Sequence, residues 1–272
     1  MSLTHYLCVT CGAQYEASAA PPSSCRICAD DRQYIGPGGQ RWTTLETVNA
    51  QHRNILELVA PDLYALYSTP HFGINQRAHL LLRPEGNILW DCISNLDAST
   101  RSLVQALGGI SAIALSHPHY FSTLIEWARA FDAPVFVNEK DAGWLTRTGP
   151  EVLTWNGREN LGSDVTLIEC GGHFPGASVL HWNKGGGMLL SGDTIQVAPN
   201  RSSVSFMYSY PNMIPLPKRD VEGIRDAVAP FEYDAIYGAF GLYIRSDAKK
   251  SMEASVNRYL EVFEAEAPII ST

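Results

Sequence analysis

The chain has 272 residues and a formal net charge of −8, and its composition is 45% hydrophobic and 18% charged. This composition is typical of a folded globular protein, and the acidic excess argues against nucleic-acid or anionic-membrane partners. No apolar run approaches the roughly 20 residues of a membrane span. The first residues also lack a secretory signal, so the sequence predicts a cytoplasmic protein.

The first predicted unit spans residues 1–40 and ends in a glycine- and proline-rich stretch at 36–39. It contains two Cys-x-x-Cys pairs separated by thirteen residues. In a reducing compartment such pairs indicate a metal site rather than disulfides, and a unit of this size needs the metal to fold. We predict a structural zinc ion in a zinc-ribbon-like or rubredoxin-like module, and iron also fits four sulfur ligands. The predicted ligands are Cys8, Cys11, Cys25 and Cys28.

Alternating strand and helix signals follow, and they predict one α/β layered domain over residues 41–272. The hydrophobic runs that predict strands lie at 55–59, 63–67, 79–83, 88–91, 110–115, 134–137, 165–170, 179–182, 188–190 and 235–237. Hydrophobic residues at helical spacing predict helices at 97–107, 123–131, 218–228 and 247–263.

Metal-binding side chains stand shortly after three of the predicted strands. Residues that follow neighbouring strands can converge at one edge of a layered sheet, and glycines beside them let the backbone approach closely. The sequence therefore predicts a second metal site, separate from the cysteines. Its predicted ligands are His117 and His119 after the strand at 110–115, His173 after 165–170, and Asp193 after 188–190.

The order of these motifs resembles the metallo-β-lactamase superfamily of hydrolases over about residues 55–260. The segments that carry the resemblance are 80–91, the His-Pro-His run at 117–119, Gly-His-Phe-Pro-Gly at 172–176 and Ser-Gly-Asp-Thr at 191–194. The resemblance implies an αββα sandwich that holds one or two metals, usually zinc, at the sheet edge. Members of the superfamily hydrolyse lactams, thioesters, lactones and phosphoesters.

The sequence departs from the superfamily at the residues of the second metal. The family pattern is His-x-His-x-Asp-His, but Phe121 stands in place of the Asp and Ser122 in place of the third His. A late family histidine is absent from the run Gly-Ala-Phe-Gly at 238–241. The resemblance thus implies an intact first site of three histidines, and only Asp193 remains of the second set. We predict a single metal ion at this site.

Three functions are compatible with this ligand set. Three neutral imidazoles with an open fourth position match catalytic zinc, which favours a hydrolase that uses a metal-activated water. In that hydrolase Asp193 is a catalytic residue, as a fourth ligand or as the group that orients the water. Alternatively, His117, His173 and Asp193 hold iron in a non-haem oxygenase, with His119 outside the ligand set. The third alternative is a binding module that has lost catalysis.

A small-molecule substrate is expected, and the sequence does not identify it. Residues 203–217 are rich in aromatic residues and prolines and follow the Asp193 loop, where the superfamily often carries a segment that covers the substrate. An aromatic lid and a packed connection between elements are equally compatible with this composition. A homodimer is left open. The candidate substrate-binding residues are Arg201, Tyr208, Tyr210 and Tyr243.

Overall fold

The computed structural model describes residues 3–264 of the chain. Its first elements belong to the cysteine-rich N-terminal segment, where strand β1 (Tyr6–Cys8) pairs antiparallel with β2 (Trp42–Thr44). Helix α1 (Leu45–Gln51) follows, and the side chain of Thr44 caps it by accepting a hydrogen bond from the backbone N–H of Thr47. Strand β1 therefore pairs with a strand that lies beyond residue 40.

Seven strands form the first sheet, and they are arranged in the order in which they occur along the chain. They are β3 (Arg53–Ala60), β4 (Leu63–Thr69), β5 (Ala78–Leu81), β6 (Ile88–Trp90), β7 (Ala112–Ala114), β8 (Val135–Asn138) and β9 (Val152–Trp155). The pairs from β3 to β6 are antiparallel and those from β6 to β9 are parallel. Helix α2 (Ala98–Ala106) connects β6 to β7, and helix α3 (Leu124–Phe131) connects β7 to β8.

The second sheet has six strands. Four of them are β10 (Arg158–Asn160), β11 (Val165–Glu169), β12 (Ser178–Trp182) and β13 (Met188–Gly192). Two small hairpins follow, formed by β14 (Gln196–Val197) with β15 (Val204–Ser205), and by β16 (Met207–Ser209) with β17 (Ile214–Pro215). The remaining elements are helix α4 (Lys218–Val228), strands β18 (Ala235–Gly238) and β19 (Tyr243–Ile244), and helix α5 (Ala248–Glu264). The order in the sheet is β10-β11-β12-β13-β18-β19.

Hydrophobic side chains alternate along the strands, and this alternation creates the layers. In β5, Leu80 packs under α2 and α3, whereas Leu81 faces the second sheet. In β12, Leu180 faces the first sheet, whereas Val179 packs under α4 and α5. The two sheets therefore bury a core between them and each is covered by helices, which confirms the predicted αββα sandwich.

The predicted helices agree with the observed ones because the hydrophobic spacing and the capping residues indicate the same segments. In α3, Leu124, Trp127 and Ala128 lie on one face and are buried. The Asp97 side chain caps α2 by accepting a hydrogen bond from the N–H of Thr100 at 2.7 Å. Between residues 3 and 264, no helix combines the length and apolar character needed to cross a bilayer.

The N-terminal segment packs against the sandwich through hydrogen bonds. The backbone N–H of Gln14 donates to the carbonyl of Ser122 at 3.0 Å, and the Ser94 hydroxyl donates to the carbonyl of Gly12 at 3.1 Å. The Thr146 hydroxyl donates to the carbonyl of Gln14 at 2.7 Å. These contacts place the cysteines beside the loops that carry the predicted histidine ligands.

Candidate metal centre

Three loops bring the four predicted ligands of the second site together. His117 and His119 follow β7, His173 follows β11, and Asp193 follows β13 directly. One nitrogen or oxygen atom of each side chain lies within 4.8 Å of those of the other three. All four residues are buried.

The carboxylate of Asp193 faces all three imidazoles. Its Oδ2 atom is 3.4 Å from Nε2 of His117, 3.9 Å from Nδ1 of His119 and 3.8 Å from Nε2 of His173. The last two nitrogens are 3.2 Å apart. Three nitrogen atoms and one oxygen atom therefore point towards a common position.

Hydrogen bonds on the far side of the His117 and His173 rings fix the orientation of these two side chains. Nδ1 of His173 donates to the carbonyl of Met207 at 3.0 Å, which leaves Nε2 with its lone pair. Nδ1 of His117 lies 2.9 Å from the Ser116 hydroxyl, which in turn donates to Oδ2 of Asp91 at 3.0 Å. Such outer partners select the tautomer of a ligating histidine.

Electrostatics keep the cluster in the forms that bind metals. Burial lowers the pKa of His119 to about 4, and burial lowers the pKa of His173 well below its ordinary value. Burial alone would raise the pKa of Asp193, but interactions with His117 and His119 hold that pKa below its usual range. At neutral pH, His119 and His173 are therefore neutral while the carboxylate is ionised.

A metal ion fits this donor set. Nε2 of His117 is buried and has no hydrogen-bond partner among the described residues. Leaving such an atom unsatisfied costs about 1–3 kcal/mol, and a metal ion would satisfy it. Three imidazole nitrogens and one carboxylate oxygen are ligands that zinc accepts, and iron(II) accepts histidine with carboxylate.

The four cysteines of the N-terminal segment also form a cluster that can hold a metal ion. The Sγ atoms of Cys8 and Cys28 are 3.6 Å apart, as are those of Cys11 and Cys25, and all four side chains are buried. The side-chain amide of Gln40 donates to Sγ of Cys8 at 3.2 Å. Four sulfur atoms at these separations suit one tetrahedral ion.

A cavity of about 500 Å³ opens beside the histidine cluster. His119, Asp193 and Tyr210 line it on the cluster side, and the Tyr210 hydroxyl donates to the backbone carbonyl of Asp193 at 2.8 Å. The rest of its wall comes from three regions of the chain, namely Arg32, Gln33 and Tyr34, then His71, Gly73, Ile74 and Asn75, then Pro211 and Phe240.

The other candidate substrate-binding residues lie elsewhere. The Tyr208 hydroxyl donates to Oδ1 of Asp31 at 2.7 Å. The Tyr243 hydroxyl accepts a hydrogen bond from Arg77 at 3.2 Å, and Tyr243 lines a separate cavity together with Arg201. Among the four, the structure brings Tyr210 to the wall of the cavity beside the histidine cluster.

The sequence profile of the metallo-β-lactamase superfamily matches residues 73–254. The chain belongs to the metallo-β-lactamase superfamily. It is also similar to the uncharacterized protein YmaE of Bacillus subtilis (strain 168), at 46% identity over 270 residues, which cover 97% of this chain and 98% of that protein.

Solved structures of metallo-β-lactamases are similar in fold. For the DIM-1 metallo-β-lactamase the TM-score is 0.55 at 13% identity, over 76% of this chain and 98% of that chain. For a metallo-β-lactamase of Cronobacter sakazakii with a HARLDQ motif the TM-score is 0.51 at 20% identity, over 81% of this chain and 96% of that chain. At these identities the similarity shows the fold alone.

The residues that stand in place of the superfamily's second-site Asp and third His point away from the cluster. Phe121 is buried in the core under α3, and the Ser122 hydroxyl pairs with that of Ser94 at 2.8 Å. The buried Tyr120 donates its hydroxyl to Oδ1 of Asp193. That carboxylate therefore offers one oxygen to the histidines, while the other is already hydrogen-bonded.

The sequence does not indicate the contacts that Asp91 and Arg32 make near this site, and it predicts Tyr120 as apolar pocket wall rather than as a hydrogen-bond donor to Asp193. Asp91 follows β6 directly in the structure, but the predicted strand at 88–91 includes it, so its position after a strand is visible only in the structure. Tyr120 lies between two recognised motif positions, but nothing in the sequence shows where its hydroxyl points. Arg32 reaches the site only because the N-terminal segment packs there, and no local pattern predicts that contact.

Proposed function

We propose that this protein is a metal-dependent hydrolase with a mononuclear site made of His117, His119, His173 and Asp193. The convergence of these four buried side chains on one position carries the proposal. The hydrogen bond from Tyr120 to Oδ1 of Asp193 supports a single metal, because it occupies the second carboxylate oxygen. Zinc is the first choice, since the set consists of three imidazoles and a carboxylate. We also propose zinc as the structural metal of the cysteine cluster.

The residues of the site would have different roles in hydrolysis. A divalent metal held there would supply Lewis acidity, which polarises a substrate oxygen and lowers the pKa of water. Asp193 remains ionised and lines both the cluster and the cavity, so its Oδ2 atom can either complete the ligand set or accept a hydrogen bond from a water molecule. Met207 and Ser116 hold His173 and His117 in the ligating orientation.

The cavity favours a small, partly apolar substrate. Ile74, Pro211 and Phe240 supply apolar wall, whereas Gln33 and Asn75 supply polar groups. Arg32 also lines the cavity, but its charge is paired with Asp30. This lining suits a neutral acyl compound, such as an ester, thioester or lactone, better than a phosphoester.

Metal analysis combined with a substrate panel tests the proposal. We expect the purified protein to hold two metal ions per chain and to hydrolyse one class among chromogenic esters, thioesters, lactones, lactams and phosphoesters. His119→Ala should lose one metal ion and more than about 100-fold of the activity. His181→Ala is the matched control, because His181 lies in β12 and contacts the carbonyl of Glu232 instead.

Two outcomes would contradict the proposal. One is full activity in His119→Ala. The other is a protein that contains iron at the histidines and consumes oxygen without hydrolysing any member of the panel.

A further inference from the structure

The polypeptide that follows the fourth cysteine forms part of the wall of the substrate cavity. Cys28 belongs to the cysteine cluster, and Arg32, Gln33 and Tyr34 line the cavity beside the histidines. Only three residues separate Cys28 from Arg32. The position of this part of the wall therefore depends directly on how the cysteine cluster is held.

Arg32 connects this segment to the histidine cluster. Its guanidinium forms a bidentate pair with Asp30, with nitrogen–oxygen distances of 2.6 and 2.9 Å. The remaining terminal nitrogen, Nη1, donates to the backbone carbonyl of His173 at 3.4 Å. The guanidinium also lies 3.8 Å from the centre of the Phe174 ring. The side chain is 12% exposed, so these contacts are largely shielded from water.

Phe174 extends the same contact to all three histidines. Its ring centre is 5.6 Å from that of His117, 4.9 Å from that of His119 and 5.2 Å from that of His173. The Arg32 guanidinium therefore packs on the same Phe174 ring that contacts the three imidazoles. Cation–π contacts of this kind gain strength when they are desolvated.

The β16–β17 hairpin forms a second connection between the residues after Cys28 and the histidine cluster. Asn212 in this hairpin donates to the carbonyl of Asp31 at 2.8 Å, and Tyr208 donates to its carboxylate. The same hairpin supplies the Met207 carbonyl that orients His173. The residues after Cys28 are therefore joined to His173 both directly and through the hairpin.

We propose that Arg32 is a positioning residue that links the cysteine cluster to His173, so that the N-terminal segment sets the metal affinity of the histidine cluster. This inference rests on metal binding at the histidine cluster, which is part of the proposed function. The planar fork of arginine matches the carboxylate of Asp30 and fixes the guanidinium in one orientation. Mutation of the groups that hydrogen-bond ligating side chains typically costs about 10- to 100-fold in metal affinity. Arg32 acts one contact further out, through the His173 backbone and the Phe174 ring, so we expect an effect near the lower end of this range.

A chelator competition titration of the zinc-loaded protein tests the proposal. Zinc that is absent from His119→Ala identifies the histidine cluster, and the remaining zinc belongs to the cysteines. We expect Arg32→Met to weaken zinc binding at the histidines by about tenfold or more and Asp30→Asn to weaken it in the same direction. Circular dichroism establishes that each variant is folded.

Arg26→Met is the matched control. Arg26 belongs to the same segment and lies 5.2 Å from the Trp144 ring centre, much as Arg32 lies 5.3 Å from it, but it is exposed. The zinc affinity of Arg26→Met should equal that of the wild type. Unchanged affinity in Arg32→Met, or an equal loss in Arg26→Met, would overturn the inference alone. Absence of zinc from the wild-type histidines would overturn the proposed function and this inference together.

Discussion

The buried hydroxyl of Tyr120 donates to Oδ1 of Asp193, and this contact satisfies one of the two carboxylate oxygens. A hydrogen bond to a charged group contributes about 1.5–3 kcal/mol, and removing the donor leaves the buried oxygen unsatisfied. Tyr120 contacts Asp193 without lining the cavity. We therefore expect substitution of Tyr120 to change stability and metal binding first.

We predict that Tyr120→Phe lowers the free energy of unfolding by about 1.5–3 kcal/mol, because Oδ1 of Asp193 loses its donor. Chemical denaturation at neutral pH measures this difference. Tyr64→Phe is the control, since the Tyr64 hydroxyl makes no side-chain hydrogen bond within residues 3–264. Equal stabilities of Tyr120→Phe and the wild type would contradict the prediction.

Asp141 gives a prediction about pH. Its Oδ1 atom accepts a hydrogen bond from the N–H of Gly176 at 2.9 Å, and burial raises the pKa of its carboxyl to about 6, from an ordinary value of 3.8. Because the folded state then binds the proton more tightly than the unfolded state, this carboxyl destabilises the fold progressively as the pH rises from about 4 through 6.

Asp141→Asn keeps an acceptor for Gly176 but cannot ionise. We expect this variant to be more stable than the wild type at pH 7.5, by on the order of 2–3 kcal/mol. The difference should shrink as the pH falls through 6 and vanish below about 4. Urea unfolding across this pH range measures it, with the exposed Asp226→Asn as control. A difference that does not vary with pH would show that ionisation of Asp141 is not its cause.

Among the helices and strands, the sequence predicts those that have a regular hydrophobic pattern. Helix α4 occupies residues Lys218–Val228, as its spacing predicts, because Val221, Ile224 and Val228 form one buried face. Strands β9 and β10 were not predicted, since most of their residues are partly or fully exposed and they lie at sheet edges. The hairpins β14–β15 and β16–β17 have strands of two or three residues, which are too short for periodicity to register.

The cysteine segment is the element whose stability we expect to depend most on a metal. We predict that Cys25→Ser lowers the metal content by one ion per chain and makes the segment before residue 41 sensitive to proteases. Mass spectrometry of limited digests locates the cleavage sites. Cys170→Ser should retain its metal, because Cys170 lies outside both clusters. Protection of the segment in Cys25→Ser that has lost this metal ion would contradict this role.

At the scale of the whole molecule, the N-terminal segment and the sandwich share one site. The segment contributes Arg32 and Gln33 to the cavity wall, and Trp144 of the sandwich packs against the cysteine cluster. Removal of this segment would uncover the outer side of Phe174. The two regions are therefore expected to depend on each other for function.

We predict that a chain that begins at residue 41 binds zinc at the histidines at least about tenfold more weakly than the full chain. It should also bind more of a hydrophobic dye, because apolar surface under the segment becomes exposed. Zinc titration and dye fluorescence measure the two effects. Wild-type zinc affinity in the shortened chain would show that the segment does not support the histidine cluster.

The sequence by itself determined the layered fold and the four residues that converge at the sheet edge. Both follow from local patterns, since hydrophobic alternation assigns faces and strand ends bring ligands to one edge. Only the tertiary structure decided what surrounds that cluster. The Tyr120 hydroxyl reaches Asp193, and Arg32 reaches His173 across 141 positions of the chain. Such contacts depend on how separate segments pack, and packing between distant segments leaves no periodic signal in the sequence.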